Sequence, residues 1–156
     1  MLKHILFDFD GTLIDTNQLI IKTISESVEN ILDKKVDHSD LIAILGKHLD
    51  DQMKYFSQEK YKELVLYYKQ YYRKHENTMT HLYSEIDILL KELKDIGCKI
   101  GIVSSKGKRG IVSGLQLFNL TKYIDYIISA DDVKNPKPHP EGIYMAQKYF
   151  NCSSDS

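Results

Sequence analysis

The stretch that decides the fold is Ile5-Leu6-Phe7-Asp8-Phe9-Asp10-Gly11-Thr12-Leu13-Ile14-Asp15. It begins within an apolar run, residues 2–7, that lacks clean polar–apolar alternation. Such a run predicts a strand covered on both faces, as in a parallel sheet. The run stops at two acids, and Gly11 permits a tight turn without a side-chain clash. We therefore expect a buried strand that delivers two carboxylates at its carboxyl end.

Strands and helices alternate along the rest of the chain. Further strands are predicted at residues 99–103 and 126–129, and helical periodicity at 86–96, 111–118 and 141–150. This alternation predicts an α/β parallel sheet. A helical region interrupts it, with Asp15 and Ser57 as candidate helix caps. We predict a discontinuous core of residues 1–16 and 80–156 and an inserted helical lobe of residues 17–79.

Composition excludes several classes of protein. The 156 residues are enough for one packed core with a small inserted lobe. With 21 basic and 22 acidic residues the net charge is −1, so no global field favours nucleic acid or a membrane surface. No apolar run approaches membrane-spanning length, and the N-terminus lacks the pattern of a signal peptide. Cys98 and Cys152 fit no metal spacing; as free thiols they favour the cytoplasm.

Three polar clusters fall at or near predicted strand ends, where parallel α/β sheets bind their ligands. Asp8 and Asp10 follow the first strand, Ser104 follows the second, and Lys137 lies in the proline-rich loop after the third. Together they supply two carboxylates, a hydroxyl and an ammonium. This set suits phosphoryl transfer, which needs a nucleophile, proton transfer and neutralisation of charge.

Three segments resemble the motifs of haloacid dehalogenase-type phosphatases. Residues 8–15, Asp-x-Asp-Gly-Thr-Leu-x-Asp, resemble the first motif. Ile100-Gly101-Ile102-Val103-Ser104 is similar to the second, a strand closed by Ser or Thr, and Lys137-Pro138-His139-Pro140 resembles the third. The resemblance runs through most of the chain and is nearest to the phosphoglycolate phosphatases and pyrophosphatases. It implies a Rossmann-like α/β core with an inserted α-helical cap.

The same resemblance implies an activity and its catalytic residues. We expect Mg²⁺-dependent hydrolysis of a small phosphorylated substrate. Asp8 would attack phosphorus to give an aspartyl-phosphate, and Asp10 would protonate the leaving oxygen and then activate water. Ser104 would donate a hydrogen bond to a phosphoryl oxygen, and Lys137 would neutralise charge. The Asp8 carboxylate and the Asp10 backbone carbonyl would hold Mg²⁺.

Five further residues are candidates for substrate binding. Gly11 and Thr12 belong to the first motif, whereas Ser105 and Lys106 directly follow Ser104. Lys47 lies in a Gly-Lys-His turn of the lobe that resembles the cap loop of this family. An exposed turn between helices is an equally good interpretation of Lys47. A band of four tyrosines, residues 67–72, is more simply read as packing between lobe helices than as a substrate platform.

The chain departs from the resemblance at its carboxyl end. The family pattern continues into a fourth strand ending in Gly-Asp, whose acids complete the Mg²⁺ shell, and Asp155 precedes the place where that strand would begin. We therefore expect the C-terminal strands of the family core to be missing. Two hypotheses follow: an active phosphatase, or a catalytically weak remnant that binds phosphate or self-associates through an exposed sheet edge. A sugar-phosphate mutase is a third, less favoured reading.

Overall fold

The protein is represented by a computed structural model that describes residues 3–152. The chain divides into two compact units, one of Met1–Asp15 and Leu82–Ser156 and the other of Thr16–His81. Within the described residues, no helix has the length and apolar character needed to cross a membrane.

Seven helices, five strands and one 3₁₀ turn make up the described part of the chain. In order they are β1 (His4–Phe7), β2 (Ile14–Asp15), α1 (Asn17–Leu32), α2 (His38–Ile44), α3 (Leu49–Phe56), α4 (Tyr61–Met79), β3 (His81–Leu82), α5 (Ile86–Asp95), β4 (Lys99–Val103), α6 (Lys108–Leu117), the 3₁₀ turn (Thr121–Tyr123), β5 (Tyr126–Ile128) and α7 (Glu141–Phe150).

A three-stranded parallel sheet forms the centre of the first unit, in the order β1-β4-β5. Phe7 is in register with Ile102, and Val103 with Ile128. The prediction of an α/β fold with a parallel sheet is therefore confirmed. Because the strands are parallel and in this register, the residues that follow β1, β4 and β5 emerge at the same edge of the sheet.

Both faces of this sheet are covered. On one face, α5 and α6 contribute to a cluster of eleven buried residues that includes Phe9, Ile100 and Ile102. On the other, Val103 and Ile128 pack with Ala146 of α7. Each fully buried aliphatic side chain contributes about 1.5–3 kcal/mol, so this double cover is the main source of stability for the strands that carry the polar residues.

The second unit contains helices α1 to α4 and has its own core. Helices α1 to α4 bury Ile24, Val28, Ile44, Met53 and Leu64 completely. Apolar residues recur on the inner face of each helix at the spacing of an amphipathic helix. Of the tyrosine band, Tyr72 is buried and the other three are half-buried, with stacked pairs between residues 67 and 71 and between 68 and 72.

The two predicted helix caps are wrong. Helix α4 begins at Tyr61 and not after Ser57, which instead ends α3. The Ser57 hydroxyl accepts the N–H of Lys60 at 3.1 Å, so it closes a turn between the two helices. Thr16 and not Asp15 occupies the N-cap position of α1. Ser57 lies three positions before Lys60, the N-cap residue of α4, and Asp15 lies one position before Thr16.

Candidate active site

The chain turns sharply after β1, and this turn places the two acids. Phe9 is 1% exposed and packs into the core, whereas Asp8 is exposed and Asp10 half-buried. The carbonyl of Phe9 accepts the N–H groups of Leu13 and Ile14, and Gly11 adopts a φ of +76°. Only glycine takes that backbone conformation without strain. After the apolar strand β1, the chain therefore enters a short turn that presents two carboxylates.

Lys137 reaches the first of these acids. Its Nζ lies 3.1 Å from Oδ1 of Asp8, and the same Oδ1 accepts the N–H of Phe9 at 2.8 Å. The Asp8 side chain is 46% exposed and the Lys137 side chain 38% exposed, so the pair is open to a ligand. The structure brings together the predicted nucleophile and the predicted charge-neutralising lysine.

Glu141, the first residue of α7, holds the loop that carries Lys137. Its carboxylate accepts the N–H of Lys134 at 2.8 Å, the N–H of Asn135 at 2.9 Å and the Asn135 side-chain amide at 2.7 Å. The hydrogen bond from the Lys134 N–H, followed by those from Asn135, lowers the pKa of Glu141. The Glu141 carboxylate therefore fixes the backbone at the start of the loop that carries Lys137.

Lys106 reaches the second acid. Its Nζ lies 3.1 Å from Oδ1 and 3.2 Å from Oδ2 of Asp10. The Lys106 side chain is 13% exposed and that of Asp10 23% exposed, so this pair is more enclosed than the pair of Asp8 and Lys137. Two carboxylates, each held by a different lysine, form the centre of the site.

Ser104 follows β4 directly and is buried at 7% exposure. Its N–H donates to the carbonyl of Ile128, and its hydroxyl accepts the N–H of Lys106 at 3.2 Å. A hydroxyl that accepts one bond retains its hydrogen as a donor. Ser105 is half-buried beside it, and Thr12 is exposed in the turn after β1.

Hydrogen bonds from the loop after β5 fix the position of the loop that follows β4. Ala130 donates its N–H to the carbonyl of Lys106, and Asp131 accepts the N–H of Lys108 at the start of α6. Asp132 accepts both the N–H and the hydroxyl of Ser129. Burial raises the pKa of Asp132, but these hydrogen bonds and the nearby Lys108 ammonium outweigh it and leave the pKa lowered.

Lys47 belongs to the second unit. It is exposed, in the turn before α3. Gln52 donates its side-chain amide to the Lys47 carbonyl at 2.9 Å, and Nδ1 of His48 accepts the N–H of Asp50. These bonds fix the backbone of the turn. A role for Lys47 in substrate binding stays a prediction.

The oxygens near Asp8 fit a hard divalent cation that keeps water. Mg²⁺ is commonly held in proteins by one or two carboxylates together with substrate phosphates and water. Asp8 supplies a carboxylate and Asp10 a backbone carbonyl on the same turn. Within residues 3–152, no group of three or more His, Cys, Asp or Glu side chains is arranged to hold a metal. Asp155, which precedes the place where the fourth strand of the family pattern would begin, lies outside the described residues.

Four residues that shape the site were missed in the sequence. Glu141, Asp131 and Asp132 fix the two loops, and Gly110 borders Lys106. An acid at the first turn of a predicted helix is a signal for Glu141, because such acids accept backbone N–H groups. Asp131 depends on which loops meet in space, because its bond to the Lys108 N–H spans 23 positions. The contacts of Asp132 with Ser129 and of Gly110 with Lys106 are local, but neither belongs to a motif that we used.

Comparison with known proteins shows the family of this chain. A family model described as haloacid dehalogenase-like hydrolase matches residues 5–156. The pyrophosphatase PpaX of Bacillus cereus (strain B4264) is 33% identical over 154 residues, which are 99% of this chain and 71% of that protein.

Solved structures agree as well. A predicted phosphatase from Clostridium acetobutylicum is 30% identical with a TM-score of 0.82, covering 99% of this chain and 73% of that one. A predicted phosphoglycolate phosphatase from Haemophilus somnus 129pt shares the fold, with a TM-score of 0.87 at 18% identity, covering 97% and 72% of the two chains. The chain belongs to the haloacid dehalogenase-like hydrolase family.

Proposed function

We propose that this chain hydrolyses a small phosphate monoester or pyrophosphate in a Mg²⁺-dependent reaction, through a phosphorylated Asp8. The observation that carries the proposal is the pair of acids at one strand end, each in contact with its own lysine. A nucleophile and a proton-transfer group, both beside positive charge, are the parts that phosphoryl transfer requires.

In the first step, an oxygen of the Asp8 carboxylate forms a bond to phosphorus. The bond between phosphorus and the leaving oxygen breaks, and Asp10 gives a proton to that oxygen. Protonation by a positioned group accelerates such a step by about 10²–10⁴-fold. Lys137 neutralises charge on Asp8 and on the transferring group, and Ser104 donates a hydrogen bond to a phosphoryl oxygen.

In the second step, Asp10 acts as a base. It removes a proton from a water molecule, whose oxygen forms a bond to phosphorus. The bond between phosphorus and Asp8 breaks, which releases inorganic phosphate and regenerates the carboxylate. In the same proposal Gly11, Thr12, Ser105 and Lys47 contact the substrate, whereas the ammonium of Lys106, the fifth substrate-binding candidate, contacts Asp10.

Mg²⁺ is the proposed cofactor, held by the Asp8 carboxylate and the Asp10 backbone carbonyl. When bound, it supplies positive charge that offsets the repulsion between carboxylates and phosphate. The protein itself supplies the nucleophile, the proton carrier and two fixed ammonium groups.

Pyrophosphate is the better supported substrate, because a 33% identical relative is named a pyrophosphatase. The phosphoglycolate phosphatase named above shares only the fold, so phosphoglycolate is the second candidate. Assays of pyrophosphate, phosphoglycolate and sugar phosphates under one Mg²⁺ concentration rank the three classes. Return of the phosphoryl group to a sugar, with no free phosphate, would indicate a mutase.

The proposal is tested by phosphate release with and without Mg²⁺. We expect turnover that requires the metal and is abolished by Asp8→Asn. Asp95→Asn, which alters an exposed acid at the end of α5, is the matched control and should leave turnover unchanged. Rapid acid quenching with labelled substrate should trap label on the parent protein and none on Asp8→Asn. A folded, Mg²⁺-loaded protein without turnover would contradict the proposal.

A second candidate is self-association through the sheet edge, favoured by the position of β1 at one end of the described strand order. Edge strands present unpaired backbone groups that can pair with another chain. Sedimentation at several protein concentrations tests this, and a single monomer mass throughout would reject it. The cytoplasmic location likewise stays a prediction.

A further inference from the structure

Lys106 is held in one orientation along its whole length. Its N–H donates to the Ser104 hydroxyl at 3.2 Å, and its carbonyl accepts the N–H of Ala130 at 3.0 Å. Its ammonium contacts both oxygens of Asp10 and lies 6.0 Å from the centre of the Phe9 ring. A lysine in open solvent samples many rotamers, so this one has lost freedom that an ordinary surface pair retains.

Gly110 borders the path of this side chain. A Cβ placed at position 110 would lie 2.7 Å from Cε, 3.3 Å from Cδ and 3.4 Å from Cγ of Lys106. Gly110 lies in the first turn of α6, where alanine would be favoured over glycine by helix propensity. Gly110, a residue with low helix propensity, therefore lies directly beside the Lys106 side chain.

We infer that Lys106 is a positioning residue that holds Asp10 as the base for hydrolysis of the phosphorylated enzyme, and that Gly110 keeps the space it needs. This inference rests on the proposed function. Proton abstraction requires the Asp10 carboxylate within hydrogen-bond distance of the attacking water, and its two bonds to the Lys106 ammonium fix where that carboxylate lies. A simple contact between Lys106 and the substrate phosphate would instead act mainly on the first step.

Dinitrophenyl phosphate distinguishes a role of Lys106 in positioning Asp10 from a contact with the substrate phosphate, because its leaving oxygen needs no proton. Its phosphorylation of Asp8 stays fast when proton transfer is impaired. In Lys106→Met and Gly110→Ala we expect a burst of dinitrophenolate close to one equivalent of enzyme, followed by turnover slowed on the order of tenfold to 100-fold, within the usual worth of a positioned base. Quenched labelled samples should show accumulated phosphoenzyme.

Gly110→Ala is the sharper variant because it removes no polar group from the site. The clashing atoms belong to the far end of a flexible chain, so the fold adjusts by moving Lys106. We expect its melting temperature to be equal to or above that of the parent while hydrolysis of the phosphoenzyme slows. Gln116→Ala, at an exposed position of the same helix, and Lys122→Met, at an exposed lysine, are the controls and should show no burst.

A readout without metal or substrate completes the test. In the parent protein the Lys106 ammonium should give a protected ¹H–¹⁵N signal that disappears in Asp10→Asn and weakens in Gly110→Ala. Slower burst formation with unchanged phosphoenzyme hydrolysis, or parent-like kinetics in Gly110→Ala, would overturn the inference. The proposed function fails separately, if the parent shows no Mg²⁺-dependent turnover or Asp8→Asn retains it.

Discussion

Oδ1 of Asp8 receives two donors at once, the ammonium of Lys137 at 3.1 Å and the N–H of Phe9 at 2.8 Å. One donor belongs to the strand end and the other to a distant loop. These two donors hold that oxygen in position before substrate arrives. Such preorganisation reduces the reorganisation that the reaction itself requires.

Removing the charge of Lys137 should therefore impair chemistry more than binding. We expect Lys137→Met to lower kcat by about 10²–10³-fold, the range found for loss of one stabilising donor, with a smaller change in KM. Steady-state phosphate release measures both constants. Lys134→Met in the same loop is the control, because the contact of Lys134 with Glu141 uses its backbone N–H. Equal losses in the two variants would contradict the assignment.

Glu141 should affect activity only through Lys137. Glutamine offers one acceptor oxygen and turns an amide toward N–H donors, so Glu141→Gln should loosen the loop and lower kcat by roughly tenfold. In a Lys137→Met background the same change should have almost no further effect. Glu92→Gln, on the exposed side of α5, is the matched control. Additive losses in the double variant would contradict a positioning role.

Asp125 should stabilise the fold in a pH-dependent way. Burial raises the pKa of its carboxyl, but hydrogen bonds from Lys94 at 2.7 Å and from the Ile100 N–H at 2.8 Å outweigh that and leave the pKa lowered from 3.8. Asp125→Asn should cost about 1.5–3 kcal/mol at neutral pH, the usual worth of charged hydrogen bonds.

The sign of that pH dependence follows from the lowered pKa. The stabilisation is complete above the unfolded-state value of 3.8 and is lost as pH falls through the lower folded-state value. Urea unfolding at pH 7, 5, 4 and 3 should show the difference between parent and Asp125→Asn shrinking only at the acid end. A difference that already disappears at pH 5 would refute the interpretation.

Gly114 provides a contrast to Gly110 on the same helix. A Cβ at position 114 would lie 2.8 Å from Cζ of Phe9, a buried aromatic ring that cannot move aside. Gly114→Ala should destabilise the protein by about 1–3 kcal/mol, as overpacking of a core does, despite better helix propensity. Thermal unfolding of the two glycine variants side by side tests this. Equal melting temperatures would refute it.

Much of the core could be predicted from its sequence because local signals were strong. The strand before Asp8 and Asp10 is found at His4–Phe7, although it is half-buried and not buried as expected. The strand at residues 99–103 is found as predicted and is buried from Ile100 onward. The strand at 126–129 ends at Ile128, one residue early. Short runs bounded by polar turns carry the information for buried parallel strands.

The remaining features depend on contacts that are distant in the sequence. The bond of Lys106 to Asp10 spans 96 positions and requires the path beside Gly110, which no periodicity reveals. The two-residue strands β2 and β3 are too short to show a pattern. Ser57 was misplaced because serine closes turns as readily as it caps helices.

Phe9 stands between the two acids and is buried, and this arrangement protects the chemistry against misfolding. A register shift of one residue would place both carboxylates in the hydrophobic core and expose the Phe9 ring to solvent. Burying a carboxyl group without partners takes a large part of a domain's net stability, even where the group is neutralised by a proton. The register that buries Phe9 and presents both acids is therefore the stable one, so the same burial that stabilises the core also sets the position of the two catalytic candidates.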